Sequence, residues 1–194
     1  MIAAVIPVKR LTEGKSRLAA RLSPTERAEL ITDLVRRAVD ALHESGIIER
    51  IALATPEVAL AQSLKVEALP DEGSLNAALR GAVAWATEMD AAGLLILPGD
   101  LPLVRGEDVR AIVATLPDPP AISIAPTRDG GTGALLLSPP TVIPPSFGAA
   151  SFERHLQLAH DCGVRVSSVM RTALSFELDT VEDLDMFAEF GERV

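Results

Sequence analysis

Short, continuously apolar stretches alternate with longer amphipathic stretches along this chain. The apolar runs predict strands that are buried on both faces, because such strands have no solvent side to carry polar residues. The longer stretches repeat apolar residues every three or four positions, which predicts helices with one buried face. The pattern predicts strands at residues 2–6, 50–54, 65–69, 93–97, 121–125, 134–137, 164–169 and 175–178. It predicts helices at residues 24–45, 57–63, 74–90, 106–116, 151–162 and 181–190.

Polar residues at the predicted helix starts fit helix capping. Ser23 followed by Glu26 has the spacing of a capping box before the first helix. Ser151 is the expected N-cap of the helix at 151–162, and Asp179, with Glu182 three positions later, is the expected N-cap of the last helix.

Repeated strand–helix units predict the α/β class, with a mostly parallel central sheet flanked by helices, as in Rossmann-like folds. The chain lacks a linker long enough to separate two domains, so we expect a single domain over 1–194. Within it, 1–120 is predicted to bind a nucleotide and 121–194 to bind an acceptor. Ligands bind such sheets beyond the carboxyl ends of the strands, which is where 7–17, 71–76 and 99–103 are expected.

Composition narrows the function classes. Of 194 residues 48% are hydrophobic but only 3% aromatic, and the net charge is −9, which argues against a base-stacking or general nucleic-acid binder. Apolar runs all fall short of the roughly 18 residues that a membrane span needs, so a cytoplasmic protein is expected. One cysteine and three histidines show no metal-ligand spacing; the histidines are interpreted as structural or surface residues.

A basic segment stands out in this acidic chain: positions 9–21 carry Lys9, Arg10, Lys15, Arg17 and Arg21. It predicts a phosphate-binding loop after the first strand, although a solvated face is the competing interpretation. The sequence Gly-Lys-Ser at 14–16 is not a P-loop, because that motif needs a glycine at position 9.

Carboxylates follow two predicted strands. The stretch LLILPGDLPL carries Asp100 at the exit of an apolar run, where it is either a turn residue or a metal ligand. Glu177 and Asp179 are two positions apart, and on a strand they would point the same way. Two carboxylates on one face repel each other unless a cation neutralises them, so these residues form a candidate metal site.

Three loops have candidate ligand-binding features. Asn76, near a helix start, offers both a donor and an acceptor, while the neighbouring Ser74 is a capping residue or a ligand. The glycine-dense loop at 129–133 permits close backbone approach to an anion, with a plain turn as the alternative. The helix start at 147–154 is a candidate anion site, where Arg154 grips an acid group or faces solvent.

Taken together, these segments resemble the family of 2-phospho-L-lactate guanylyltransferases and their bacterial relatives, which act in the synthesis of the deazaflavin coenzyme F-420. The resemblance covers nearly the whole chain and rests, in order, on PVKRLTEGKSRL, LPDEGSLNAAL, LPGDLPLV, GGTGALLLSPP, FGAASFERH and FELDTVEDL. It implies a nucleotidyltransferase that joins GTP to 3-phosphoglycerate, phosphoenolpyruvate or 2-phospho-L-lactate and releases pyrophosphate. The alternatives are a transferase of the molybdenum-cofactor type and a nucleotide-binding protein without turnover.

The resemblance also implies site residues, with Mg²⁺ as the cofactor and small molecules as the partners; it leaves a homodimer open. The family usually has Asn where this chain has Gly133, which would enlarge the acid pocket and favour 3-phosphoglycerate, and often has Asp where this chain has Glu177. The expected residues are Lys15 and Asp100 for catalysis; Asp100, Glu177 and Asp179 for the metal; Pro7, Val8, Lys9, Arg17, Gly73 and Asn76 for the nucleotide; and Thr132, Gly148, Ser151 and Arg154 for the acceptor.

Overall fold

The computed structural model describes residues 1–70 and 73–191. Within them the chain forms seven strands and seven helices that alternate for most of its length. The strands are β1 Ile2–Pro7, β2 Arg50–Ala54, β3 Glu67–Leu69, β4 Gly93–Ile96, β5 Ala121–Pro126, β6 Thr132–Ser138 and β7 Arg165–Ser168. The helices are α1 Pro24–Ser45, α2 Val58–Ser63, α3 Leu75–Glu88, α4 Gly106–Ala114, α5 Ser151–Asp161, α6 Thr172–Ser175 and α7 Val181–Gly191.

All seven strands join one sheet, in the order β3-β2-β1-β4-β6-β5-β7. The pairs β1–β2, β1–β4, β2–β3 and β5–β7 are parallel, whereas β6 runs antiparallel to both β4 and β5. The predicted α/β class with a mostly parallel sheet is confirmed. Strands from the first 120 residues and from the rest share this sheet, so the sheet continues across the predicted boundary between the halves.

Helices cover both faces of the sheet, which explains why the strands read as unbroken apolar runs. In β4 and the residue after it, Leu94 and Ile96 pack into the core on the side of α3 and α5, while Leu95 and Leu97 pack on the side of α1 and α4. All four are essentially inaccessible to solvent. No helix among the described residues combines the length and apolarity needed to cross a membrane.

The first helix begins and ends where the sequence predicted. Ser23 Oγ accepts a hydrogen bond from the backbone N–H of Glu26 at 3.3 Å, and the Glu26 carboxylate accepts one from the backbone N–H of Ser23 at 2.8 Å. This capping box satisfies two of the amides that a helix start leaves without partners. Gly46 ends the helix in the left-handed conformation, at φ 69°.

The predicted strand at 175–178 is wrong. The short helix α6 occupies 172–175, and the segment that follows is irregular. Its alternating pattern reflects the burial of Phe176 and Leu178, not pairing in a sheet. This segment lies next to the end of β4, but β1 and β6 already occupy both edges of β4, so no edge is left for another strand there.

Candidate active site

A cleft of about 740 Å³ opens at the carboxyl ends of β1 and β4. On one side it is lined by the loop that follows β1, and on the other by the glycine-rich turn before β6 and the start of α5. Its lining includes Pro7, Val8, Lys9, Arg10, Glu13, Gly14, Lys15, Arg17, Gly73, Asp100, Asp129, Thr132, Gly148, Ser151, Glu177 and Asp179. The ligand position expected for an open parallel sheet is therefore the position of this cleft.

Lys15 lies at the centre of the charged part of the cleft. Its ammonium donates to Asp100 Oδ2 at 3.0 Å and to Asp179 Oδ1 at 2.5 Å, and its side chain is only 9% exposed. Burial alone would lower the pKa of Lys15, but the negative charges of the two carboxylates and their hydrogen bonds raise it above its usual value. The amine therefore stays charged at neutral pH.

The loop around Lys15 has an unusual backbone. Lys15 itself adopts the left-handed conformation at φ 52°, which a residue with a side chain rarely adopts. The preceding residue, Gly14, packs so closely on α1 that a Cβ would lie 2.5 Å from Ile31 Cδ1. Leu18, fully buried, anchors the other end of the loop. Together these features direct the lysine into the cleft, a geometry in which strain at a single residue serves a site.

Asp179 does not cap the last helix, as the sequence had predicted. Thr180 is the capping residue: its Oγ1 accepts from the backbone N–H of Asp183 at 3.2 Å, and the Asp183 carboxylate accepts from the backbone N–H of Thr180 at 2.9 Å. A backbone hydrogen bond from Leu178 N to Asp100 O at 3.0 Å holds this segment beside the end of β4. The cap is thus one residue later, and the Asp179 carboxylate points to Lys15 instead.

Glu177 is the most perturbed carboxyl group of the cleft. Burial, together with the nearby negative charges of Asp100, Asp129 and Asp179, raises its pKa to about 8. At neutral pH the folded protein therefore holds a proton on Glu177. A cation arriving in the cleft would favour release of that proton, because it offsets the same negative charges.

The predicted three-carboxylate metal set is not preassembled. The described residues contain no group of three or more histidine, cysteine, aspartate or glutamate side chains arranged to hold a metal ion. Asp100 and Asp179 nevertheless share a cation, Lys15, and Asp100 Oδ1 is buried without any hydrogen-bond partner. A buried oxygen without a partner is costly, and it would be satisfied by a cation. Because Mg²⁺ typically binds one or two carboxylates and completes its shell with water and substrate phosphates, the residues present fit that ion.

A pair of buried hydroxyl groups forms the opposite wall of the cleft. Thr132 Oγ1 and Ser151 Oγ are 2.9 Å apart, and the two residues are 3% and 1% exposed. Ser151 was expected to cap α5, but it is the first helical residue, and Ala150 precedes it in the left-handed conformation at φ 53°. Gly148, at φ 125°, supplies the turn. The shift by one residue turns the Ser151 hydroxyl away from the helix end and toward Thr132.

Behind this pair lies His155, which is fully buried. Its Nδ1 is 3.1 Å from Thr132 Oγ1, and its Nε2 accepts a hydrogen bond from the backbone N–H of Ser146 at 2.9 Å. Burial, with a smaller contribution from the charge of Arg154, lowers the pKa of His155 to about 4. The sequence predicted a structural or surface role for His155 and did not predict its contact with Thr132. The available signal was that His155 lies four residues after Ser151 on the same helix, which places both on one face.

Two of the expected ligand residues do not line the cleft. The Asn76 amide is engaged with the backbone of Phe147, accepting from its N–H at 2.8 Å and donating to its carbonyl at 3.0 Å. The Arg154 guanidinium donates to the carbonyl of Ala149. Both side chains thus hold the turn at 147–149, which itself borders the cleft. Pro7, Val8, Lys9, Arg17 and Gly73 do line it.

Gly133 does not enlarge the acid pocket, so that interpretation is wrong. The residue is buried on the far side of β6 from Thr132, and a Cβ there would lie 1.7 Å from the carbonyl oxygen of Leu174. Neighbouring residues on a strand point to opposite faces, which is why Thr132 reaches the cleft while Gly133 contacts α6. The glycine is required by this close packing.

Asp129 is a cleft residue that the sequence reasoning did not single out. Its carboxylate accepts from the Thr127 hydroxyl at 2.5 Å and from the backbone N–H of Gly131 at 3.0 Å. These hydrogen bonds lower the pKa of Asp129. The Asp-Gly-Gly sequence is typical of a turn in which an aspartate bonds the backbone two residues on, and that pattern was the signal available.

The family described as guanylyl transferase CofC like matches residues 2–193. The phosphoenolpyruvate guanylyltransferase of Rubrobacter xylanophilus is 44% identical over 186 residues, covering 93% of this chain and 90% of that protein. The 3-phospho-D-glycerate guanylyltransferase of Phenylobacterium zucineum is 36% identical, covering 94% and 88%. A nucleotidyl transferase structure from Methanothermobacter thermautotrophicus superimposes with a TM-score of 0.72 at 18% identity, covering 100% and 98%. The chain belongs to the family of CofC-like guanylyl transferases.

Proposed function

We propose that this protein is a guanylyltransferase that joins the guanylyl group of GTP to a three-carbon phospho-acid and releases pyrophosphate. The activity is the one named for its relatives, and its substrates are small molecules. The observation that carries the proposal is that a basic loop and a carboxylate–lysine cluster face a pair of buried hydroxyl groups across one cleft. The cleft thus has one end for a triphosphate and another for a second anion.

At the first end, Lys9 and Arg17 are exposed cations on the loop after β1, and both line the cleft. Cations beside the β- and γ-phosphates stabilise the charge that develops on the leaving pyrophosphate. Lys15, which is held between Asp100 and Asp179, is the residue that we propose to contact the phosphate at which the reaction occurs. We assign the triphosphate to this side of the cleft on these grounds.

Mg²⁺ is the cation that we propose for Asp100 and Asp179, with Glu177 beside them. When bound, it would neutralise the phosphate oxygens and so lower the repulsion between the two anionic substrates. The two carboxylates would hold it in place of the ammonium of Lys15. Lys15 would then be free to contact a phosphate oxygen.

The reaction needs no general base. A phosphate oxygen of the phospho-acid attacks the α-phosphorus of GTP, a new P–O–P linkage forms, and the bond between the α-phosphorus and the bridging oxygen to the β-phosphate breaks. The electron pair of that bond leaves with pyrophosphate. The attacking phosphate has a second pKa of about 6, so it is already ionised at neutral pH. The task of the chain is therefore to position two anions in line and to supply positive charge.

At the second end, we propose that the hydroxyl groups of Thr132 and Ser151 and the turn at Gly148 bind the phospho-acid. Hydroxyl and backbone donors in a buried wall can hydrogen-bond an anion although they carry no net charge themselves. Asn76 and Arg154 contribute indirectly, since both hold the turn that precedes Ser151.

Phosphoenolpyruvate is the acceptor we propose first. The relative that is named for it shares 44% identity over 93% of this chain, against 36% for the relative named for 3-phospho-D-glycerate. The one residue that pointed to the bulkier 3-phosphoglycerate, Gly133, lies away from the cleft, so it gives no reason to prefer that acid.

Pyrophosphate release tests the proposal directly. The protein is mixed with Mg²⁺, with each of the four nucleoside triphosphates in turn, and with phosphoenolpyruvate, 3-phosphoglycerate or 2-phospho-L-lactate. We expect release with GTP and phosphoenolpyruvate. Release with another nucleotide alone would contradict the guanylyl assignment, and no release from any mixture would contradict the enzymatic function.

A matched pair of variants tests the carboxylate cluster. Asp100→Asn keeps the size of the side chain but removes its charge, and we expect turnover to fall by roughly a hundredfold or more. Asp118→Asn makes the same change at a side chain that is 95% exposed and far from the cleft, and it should turn over normally. Thermal unfolding of Asp100→Asn should change little, because Lys15 keeps Asp179 as its partner. A large loss of stability would favour the simple turn role for Asp100.

A further inference from the structure

We propose that His155 is a positioning residue that leaves one hydroxyl hydrogen of the Thr132–Ser151 pair directed into the cleft, as a donor to the anionic acceptor. The inference rests on the proposed function, because it takes the acceptor to bind at this pair. It assigns to a fully buried histidine a role in orienting hydrogen atoms, without direct contact with substrate.

The tautomer of His155 follows from its two contacts. The backbone N–H of Ser146 is only a donor, and it points at Nε2 at 2.9 Å, so Nε2 must carry a lone pair. In a neutral imidazole the other nitrogen then carries the hydrogen. Nδ1–H therefore donates to Thr132 Oγ1, which is 3.1 Å away.

Counting hydrogens shows what this tautomer does to the pair. Two hydroxyl groups bring two hydrogens, and one of these is used in the 2.9 Å bond between Thr132 and Ser151. Because His155 donates and does not accept, the second hydrogen has no partner on that side. It belongs to Ser151 if Thr132 donates within the pair, and to Thr132 if Ser151 donates. In either case one O–H remains for the cleft.

The opposite tautomer would remove this donor. If Nδ1 carried the lone pair, Thr132 would donate to His155 and Ser151 would donate to Thr132, so both hydrogens would be used internally. The cleft would then face only oxygen lone pairs, which repel a phosphate or a carboxylate. The peptide group of Ser146, more than the hydroxyls themselves, thus decides whether this wall attracts an anion.

Burial and packing keep the arrangement fixed. Thr132, Ser151 and His155 are 3%, 1% and 0% exposed, so water has little access to replace these bonds. Phe147 packs its ring edge-on against the imidazole, with the centroids 5.2 Å apart at 68°. Ser151 and His155 are four residues apart on α5, which places them on one face of the helix. The low pKa of His155, about 4, keeps the ring neutral at the pH of turnover.

Two substitutions separate the two bonds of the histidine. The amide oxygen of Gln reaches the position of Nε2, so His155→Gln keeps the acceptor for Ser146 but loses the donor to Thr132. The amide group of Asn reaches the position of Nδ1 but not that of Nε2, so His155→Asn loses the acceptor for Ser146 and with it the contact that sets which group faces Thr132. We expect His155→Gln to raise KM for phosphoenolpyruvate by up to about tenfold, the effect of losing one hydrogen bond of about 1.4 kcal/mol, because the free hydroxyl hydrogen can turn into the space that Nδ1–H filled and is no longer held toward the cleft. KM for GTP should not change.

In His155→Asn the amide can turn its oxygen to Thr132 and take up the free hydroxyl hydrogen, so KM for phosphoenolpyruvate should rise at least as much as in His155→Gln. Circular dichroism and thermal unfolding, measured on both variants, show whether each is folded. If both variants are folded and neither raises KM for phosphoenolpyruvate, or if His155→Gln raises it clearly more than His155→Asn, the inference is overturned.

A double substitution tests whether His155 acts through Thr132. Thr132→Val removes the hydroxyl, so adding His155→Gln to it should cause no further rise in KM for phosphoenolpyruvate. Independent, multiplying effects would overturn the inference. If the wild type turns over but His155→Gln keeps the wild-type KM, the inference alone fails. If the wild type releases no pyrophosphate from any mixture, the proposed function fails and this inference fails with it.

Discussion

Replacing Glu177 by Gln should make the protein more stable at alkaline pH and leave its stability nearly unchanged in acid. Gln has the size and polarity of a protonated glutamate but cannot ionise. In the wild type, burial and the charges of Asp100, Asp129 and Asp179 raise the pKa of Glu177 from its ordinary value of 4.5 to about 8. The unfolded chain has no such environment, so there the same group loses its proton near its ordinary pKa.

The difference between the pKa values of Glu177 in the folded and unfolded states sets the sign and size of its effect on stability. Between about pH 4.5 and pH 8 the folded protein holds a proton that the unfolded chain has released, so the contribution of Glu177 to stability falls as pH rises. Below about pH 4.5 Glu177 does not lower the stability of the folded protein, and above about pH 8 the loss of stability that it causes is constant. One pKa unit corresponds to about 1.4 kcal/mol, so the full cost is a few kcal/mol, with about 5 kcal/mol as its upper bound. Glu177→Gln avoids that cost.

Urea unfolding at pH 5, 7 and 9, in the presence of a chelator, measures this stability cost of Glu177. The free energy of unfolding of Glu177→Gln minus that of the wild type should rise across the series, because His155 and the other titrating groups are common to both proteins. Glu29→Gln, an exposed position on α1, should differ from the wild type by less than about 0.5 kcal/mol at each pH. A difference for Glu177→Gln that stays constant from pH 5 to pH 9 would refute the reasoning.

Two further predictions concern packing and capping, and both are measured by urea unfolding. Gly133→Ala should cost several kcal/mol or prevent folding, because the new methyl group would collide with the backbone of Leu174, whereas Gly46→Ala, which has open space but a φ of 69°, should cost only about 1 kcal/mol. Equal losses would contradict the close contact at Gly133. Thr180→Ala should cost about 1 kcal/mol through loss of the cap, while Glu182→Ala should be near neutral; the reverse order would restore the capping box first predicted from the sequence.

The outline of the fold was readable from the sequence because its signals are local. Apolar runs such as that before Asp100 are long enough to identify buried strands, and the capping box at Ser23 and Glu26 fixes the start of α1 without reference to the rest of the chain. The same order of segments that carries the family resemblance identified the family. The basic loop and Asp100 could be assigned to one edge of the sheet, because strands that run parallel end at the same edge.

Tertiary structure decided the features that depend on which surfaces meet. Whether 175–178 could pair as a strand depended on a free sheet edge, and β4 has none. Thr180 caps α7 in place of Asp179, whose carboxylate bonds Lys15, a residue far away in the chain. Secondary-structure propensity and periodicity describe only short stretches of sequence, so they could not predict either feature.

The chemistry of the cleft was divided in the same way. The local pattern was enough to predict that Lys15, Asp100, Thr132 and Ser151 lie near the carboxyl ends of the strands, because each is beside a strand or helix that the pattern identifies. It did not single out Asp129, and it placed Arg154 in the cleft, where the side chain does not reach. Only the folded chain decided that Lys15 lies between Asp100 and Asp179, that burial keeps a proton on Glu177, and that His155 reaches Thr132. Those features depend on distance and dielectric environment between residues far apart in the chain, and such quantities exist only once the sheet has brought the residues together.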